Sequence, residues 1–183
     1  MEKTSRSTHT VQGVTLVIMQ GNIVEIKADA IVNAANAQLA GGGGVDGAVH
    51  RAAGKSVLEE CRKIGGCPTG SAVATTAGKL DAAYIFHAVG PIYGYHADAA
   101  HLLASAYQSC LNLAEQYHVK SVAFPSLSTG AYGYPVDEAA PIALKTVVDH
   151  LRKPTGLQEV LFVLFSDSIY EAYEQALVQL LVQ

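Results

Sequence analysis

The sequence predicts an α/β fold of three layers, α/β/α, and three of its features carry that prediction. Short apolar runs bounded by glycine and proline turns read as buried strands. Through the second half of the 183 residues such runs alternate with helical patterns. That order builds a sheet with parallel portions, covered by helices on both faces. The clearest helix, Ala99 to Tyr117, puts Ala99, Leu103, Ala106, Cys110, Leu113 and Tyr117 on one face at the helical period.

In chain order, residues 1–12 read as a flexible polar tail and 13–183 as one domain without repeat or linker. Val14 to Gln20 and Ala28 to Ala34 read as strands. A glycine-rich loop follows, then two short helical pieces, Gly47 to Ala53 and Ser56 to Ile64, broken at Gly54. Ser71 to Thr76 and Tyr84 to Val89 are β-rich runs. After the helix at Ala99, Ser121 to Phe124 is a strand stopped by Pro125. A helix over Val136 to Leu151, a strand over Glu159 to Phe165 and an amphipathic helix over Ile169 to Val182 complete the order. Ligands of such sheets collect at the carboxyl ends of the strands.

Half the residues are hydrophobic and only 15% are charged, for a net charge of −4. No basic stripe of the kind that grips nucleic acid is visible. An anionic ligand must therefore be held by neutral donors, chiefly backbone N–H groups. Three cysteines, Cys61, Cys67 and Cys110, make an odd number without a C-x-x-C pair, which reads as free buried thiols rather than disulfides or a zinc knuckle. A polar N-terminus and the lack of a membrane-length apolar run give a cytoplasmic protein as the expectation, and the composition allows a monomer. No metal site is expected: His96 and His101 are the nearest candidates and lack a third ligand.

Two loops carry the chemistry. Asn33-Ala34-Ala35-Asn36 closes a strand, and Gly41-Gly42-Gly43-Gly44-Val45-Asp46-Gly47 soon follows and runs into a helix. Consecutive glycines are entropically costly, so they belong where a backbone turns through positive φ or approaches a ligand closely. Their N–H groups and the helix N-terminus form an anion site suited to phosphate. Gly42, Gly44 and Gly47 satisfy G-x-G-x-x-G, but the dinucleotide reading fails because about six residues separate strand from glycine and no acid ends the next strand. Gly54-Lys55-Ser56 resembles a P-loop ending, yet Val49 stands where its first glycine belongs. Asp46 and His50, four apart, share a helix face. Each has an ordinary alternative, a helix N-cap for Asp46 and a half-buried histidine for His50, as Asn33 and Asn36 have in turn formation. Their joint occurrence with the glycines favours a site. The second loop, Phe124 to Pro135, again threads small residues from a strand into a helix; a generic turn is its alternative. Ser128 lacks the G-x-S-x-G setting of a hydrolase nucleophile.

The stretch Asp29 to Gly54, DAIVNAANAQLAGGGGVDGAVHRAAG, resembles the signature of the MacroD-type macrodomains. The likeness continues through CPTGSAV (Cys67 to Val73), HAVGP (His87 to Pro91) and the second loop, from Thr15 onward. It implies a central mixed, largely parallel sheet and ADP-ribose as ligand. Amides of Ser128, Thr129, Gly130, Ala131 and Tyr132 would then face the diphosphate, with Tyr132 against the terminal ribose. Gly43, Gly44 and Val45 would approach ribose and phosphate. Gln20-Gly21-Asn22-Ile23 matches a segment usually reading Gly-Asp-Ile, whose Asp accepts a hydrogen bond from the adenine amine. Asn22 accepts without the charge, which weakens adenine selection by on the order of 1 kcal/mol. Phe165 matches the family's adenine-stacking aromatic, with core packing as its alternative.

The resemblance further implies metal-independent, cofactor-free ester hydrolysis at the terminal ribose: deacetylation of O-acetyl-ADP-ribose and release of ADP-ribose from Asp or Glu of ADP-ribosylated proteins. In that reading Asp46 activates a water, assisted by the ligand's phosphate. Asn33 fixes the ribose hydroxyls, Asn36 braces the loop and His50 orients Asp46 or the water. A non-catalytic ADP-ribose reader is the competing reading; an RNA- or nucleotide-binding regulator is disfavoured by the absent basic surface.

Overall fold

The computed structural model describes residues 4–183. Its sheet runs in the order β1 (Arg6–Val11), β2 (Val14–Gln20), β7 (Glu159–Leu164), β6 (Ser121–Phe124), β3 (Ala30–Ala34), β5 (Tyr84–Ala88), β4 (Ala72–Thr76). The five inner strands, from β2 to β5, are mutually parallel, and the two edges, β1 and β4, are antiparallel to their neighbours. Helices α1 (Gly44–Ala53) and α2 (Lys55–Ile64) cover one face; α3 (Ala99–Gln116), α4 (Val136–Leu151) and α5 (Asp167–Val182) cover the other. The mixed, largely parallel three-layer sheet is thus present.

Alternation within the inner strands assigns the two cores. Ile31, Ile85, Ala123, Leu161 and Val17 pack with Val49, Ala53, Val57 and Cys61 of α1 and α2. Val32, Phe86, Val122, Phe162 and Ile18 turn to the opposite layer, against Leu103, Tyr107, Leu144 and Tyr173. Both faces of each inner strand are buried, which is why these segments read as unbroken apolar runs. Leu103, Ala106 and Cys110 of α3 are buried as their spacing predicts, while Leu113 is half-buried and Tyr117 ends the helix exposed. All three cysteines are free and buried. Among the described residues no helix is long and apolar enough to cross a membrane.

The polar tail expected over residues 1–12 is corrected for 6–11, and its first three residues lie outside the described ones. Residues 6–11 are a strand, paired from Arg6 opposite Met19 to Val11 opposite Val14. The link is a two-residue hairpin, Gln12-Gly13, with φ of 48° and 83° at its two positions, the double left-handed geometry whose twist matches antiparallel strands. As an edge strand β1 buries little besides Val11, so Ser7, Thr8, His9 and Thr10 show no apolar alternation, and Gln-Gly is a weaker turn signal than Asn-Gly. The strand is fastened across to α5: Ser7 bonds Glu174, and His9 Nε2 lies 3.7 Å from the same carboxylate.

Several boundaries also move by one to three residues, two helix starts the most informatively. Helix α1 starts at Gly44 rather than Gly47, and its N-cap is Gly43. Asp46 therefore sits inside the first turn and does not cap it. At α5, Ser166 is the cap, its hydroxyl accepting from the Ile169 N–H, so the helix opens at Asp167.

Deleting residues 1–12 should lower stability by about 2 kcal/mol, seen as a fall in Tm of roughly 6 °C. An unchanged Tm would return this segment to the status of a tail.

Candidate functional site

The parallel strands β2, β7, β6, β3 and β5 all end at one rim, and the loops leaving β3 and β6, which are neighbours in the sheet, enclose a cavity of about 290 Å³. The first loop contributes Ala34, Ala35, Asn36 and Gly42 to Asp46. The second contributes Ser126, Leu127, Ser128, Gly130, Ala131 and Tyr132, and Gly90 after β5 completes the wall. Among the described residues no lysine or arginine lines it.

Local conformation explains the residue types. Gly44 has φ of 58°, the left-handed region that glycine enters at little steric penalty. With Gly43 as cap, the first helical hydrogen bond is Gly47 N–H to Gly43 C=O at 3.1 Å, so the N–H groups of Gly44, Val45 and Asp46 precede the helical ladder. They are the donors an anion meets at a helix N-terminus. Asn36 ties the loop at two points: its Nδ2 donates to Gly41 C=O at 2.9 Å and its Oδ1 accepts from Ala40 N–H at 3.1 Å.

In the second loop Ser128 is itself left-handed, with φ of 66°, and its carbonyl accepts from Tyr134 N–H at 2.9 Å. Its hydroxyl is buried with no protein partner among the described residues. Thr129 turns back onto Ser126, its hydroxyl 3.1 Å from the Ser126 carbonyl oxygen and 2.9 Å from the Ser126 hydroxyl. Tyr132 stands half-buried on the wall.

Behind the wall lies a buried polar cluster. Asp46 is 6% exposed, and its Oδ1 accepts from Asn33 Nδ2 at 2.8 Å. His50 Nε2, one turn along α1, lies 3.3 Å from the same oxygen. Asn33 is fully buried and stands behind Asp46 rather than on the wall. On its other side is His87, Nδ1 to Nδ2 at 3.1 Å. Burial, with His50 alongside, lowers the His87 imidazole to about 3, so it is neutral.

The residues named for adenine stand apart from this cavity. Asn22 caps a short 3-10 turn at Ile23–Glu25, its Oδ1 accepting from Val24 N–H at 3.2 Å, and Ile23 is buried beneath it. Phe165 follows β7 and is 83% exposed, so core packing is ruled out for it. Asn22 and Phe165 leave the ends of β2 and β7, which are adjacent strands of the same rim.

Several residues here escaped sequence reading. Gly90 presses on the second loop: a Cβ placed on it would stand 2.2 Å from Ser128 Oγ. The fold gathers His50, Cys61 and His87 with ligand atoms within 4.8 Å of one another, a group that no spacing in the sequence reveals. His96, by contrast, accepts from Ile92 N–H through Nδ1. The three gathered groups are engaged otherwise: His87 bonds Asn33 and Thr75, His50 faces Asp46, and burial pushes the Cys61 thiol up to about 11. The pairing of Asn33 opposite His87 spans β3 and β5, which no spacing within one segment reveals.

Gly90→Ala should destabilise the protein by about 2 kcal/mol. The double variant Gly90→Ala/Ser128→Ala should regain most of that loss, because the colliding atom is the Ser128 hydroxyl. Thermal denaturation of both proteins checks this, and a double variant no better than the single one contradicts it.

Comparison with known proteins agrees with this architecture. The macro domain family profile matches residues 32–143. A macro domain-containing protein of Caldanaerobacter subterraneus subsp. tengcongensis is 56% identical over 164 residues, covering 87% of this chain and 93% of the relative. An O-acetyl-ADP-ribose deacetylase of Salmonella gallinarum is 49% identical over 170 residues, covering 90% and 94%. Among solved structures, the Oceanobacillus iheyensis macrodomain with ADP superposes with a TM-score of 0.95 at 39% identity, covering 98% of both chains. The Trypanosoma brucei macrodomain in complex with ADP-ribose gives 0.84 at 39% identity, covering 88% of this chain and 68% of that one. The chain belongs to the macro domain family.

Proposed function

We propose that the cavity binds ADP-ribose and that the protein hydrolyses acyl esters of its terminal ribose, acting as a MacroD-type O-acetyl-ADP-ribose deacetylase and as a hydrolase of ADP-ribose esters on Asp and Glu side chains. The observation that carries this reading is a single nearly buried carboxylate, Asp46, on the wall of a cavity otherwise lined by neutral groups. Such a lining suits a diphosphate held by N–H dipoles, with the carboxylate reserved for the end that reacts. The deacetylase named among the relatives and the ADP-ribose complex among the structures support the same ligand.

In this reading the N–H groups of Gly44 and Val45 on one side and of Ser128 to Tyr132 on the other cradle the two phosphates. The buried Ser128 hydroxyl, unpartnered among the described residues, gains an acceptor there. Tyr132 packs against the terminal ribose. Asp46 orients a water toward the ester carbonyl and takes its proton as the water adds; it returns that proton to the ribose oxygen as the acyl–oxygen bond breaks, leaving ADP-ribose and a carboxylic acid. Adenine lies over Ile23 with Phe165 closing on its face and Asn22 accepting from its amine.

The test follows ADP-ribose release from O-acetyl-ADP-ribose without added metal. Asp46→Ala should slow release by roughly 100-fold or more while ADP-ribose affinity stays within a few-fold. Tight binding by a wild type that releases nothing from either the acetyl ester or a Glu-ADP-ribosylated protein would make the protein a reader instead. Asn22→Asp restores a charged acceptor and should tighten ADP-ribose binding by about 5-fold by calorimetry. No gain would remove Asn22 from the adenine contact.

A further inference from the structure

Ile31 and Asn33 on β3, Ile85 and His87 on β5, and Thr75 on β4 lie on the same face of the sheet, beneath α1 and α2. That row is apolar at Ile31 and Ile85 and becomes polar at its carboxyl end, under the cavity. Asn33 and His87 are fully buried and Thr75 nearly so. For packing alone, an apolar residue at position 87 would serve and would avoid the desolvation of an imidazole.

The hydrogen bonds around His87 have only one consistent direction. Thr75 Oγ1 donates to the Thr76 carbonyl at 2.8 Å. Its single proton is thereby committed, so toward His87 Nε2, 2.9 Å away, the hydroxyl accepts. Nε2 then carries the ring proton, and Nδ1 of the neutral ring is a bare acceptor. It takes one Nδ2 proton of Asn33 at 3.1 Å, and the other goes to Asp46 Oδ1 at 2.8 Å. Turning the Asn33 amide over would set Oδ1 against two acceptors, the Asp46 carboxylate and His87 Nδ1. Cys61, 3.7 Å from Nε2, offers only a weak sulfur contact.

We propose that His87, held in one tautomer by Thr75, is a positioning residue for the ester hydrolysis: through Asn33 it anchors Asp46 Oδ1 and leaves Oδ2 to take the proton from water. This rests on the reading of Asp46 as the base. Both Asn33 and His50 approach Oδ1. Oδ2 accepts no hydrogen bond from the described residues and lies beside Gly42 in the cavity wall, 3.3 Å from where a Cβ on that glycine would stand. The carboxylate is thus fixed at one oxygen and free at the other. The same chain of bonds leaves Asn33 Oδ1 buried without a partner among the described residues.

Two measurements on the whole protein test this. Long-range proton–nitrogen NMR of the labelled imidazoles should show His87 neutral, protonated at Nε2 and bare at Nδ1, from pH 8 to pH 5. A ring protonated at Nδ1, or at both nitrogens, overturns the chain. In kinetics, His87→Leu should lower kcat for O-acetyl-ADP-ribose by roughly 10-fold, the worth of one buried hydrogen bond, with ADP-ribose affinity changed less than about 3-fold. His87→Asn, whose Oδ1 stands near the place of Nδ1, should recover most of the loss. Should His87→Leu fail to fold, Thr75→Val and Thr75→Ser repeat the comparison with nearly isosteric changes: the first should lose kcat and mix the tautomers, the second should restore both. Unchanged kcat in Thr75→Val, or equal loss of kcat and affinity, overturns the positioning role. A wild type that does not turn over the ester counts against the proposed function alone, since the tautomer reading needs no turnover.

Discussion

The hydrogen bond from Asn33 to Asp46 joins the two parts of the molecule that make the site. Asn33 belongs to a central strand, fixed by neighbours on both sides; Asp46 belongs to the first turn of a helix that follows a run of glycines. At 2.8 Å, with Asn33 fully buried, the bond sets where α1 begins relative to the sheet rim. The glycines are needed because the chain must leave β3, turn through left-handed backbone and deliver the helix N-terminus to that point. The Asp46 side chain is held there by Asn33, which donates to Oδ1, with His50 Nε2 3.3 Å from the same oxygen.

The same constraint arranges the electrostatics. A protein of net charge −4 has little positive field to draw in a diphosphate. What the rim offers is oriented N–H groups at two strand-to-helix turns, with the carboxylate set into the first turn of α1. Dipoles fixed before a ligand arrives need no reorganisation, and among the described residues no lysine or arginine lines the cavity.

Most of the layer order was legible because the inner strands are buried on both faces and the helices on one, which leaves apolar runs and periodic stripes in the sequence. Strand β6 and helix α4 have the ends their patterns predict. Legibility failed where burial does not set residue type. Strand β1 is an edge with a polar face, and it reads as a tail. The start of α1 was displaced because glycine, a poor helix former, supplies its first residue. In the site, Asn33, Asp46 and His50 stood out since they cluster in one segment with the glycines. His87, Thr75 and Gly90 did not, because each meets the site only through pairing or packing between segments distant in the chain. Phe165 was ambiguous by sequence, since an aromatic at a strand end serves a core or a ligand equally well; its exposure removes the first alternative.

The central claim is that two neutral loops hold ADP-ribose with its terminal ribose turned to Asp46. A crystal structure of this protein with ADP-ribose tests it most directly. The account predicts the diphosphate between the amides of residues 43–45 and 128–132, with the terminal ribose within hydrogen-bond reach of Asp46 or of a water held by its Oδ2. A ligand bound the other way round, with adenine at Asp46 and the terminal ribose toward Phe165, would contradict it.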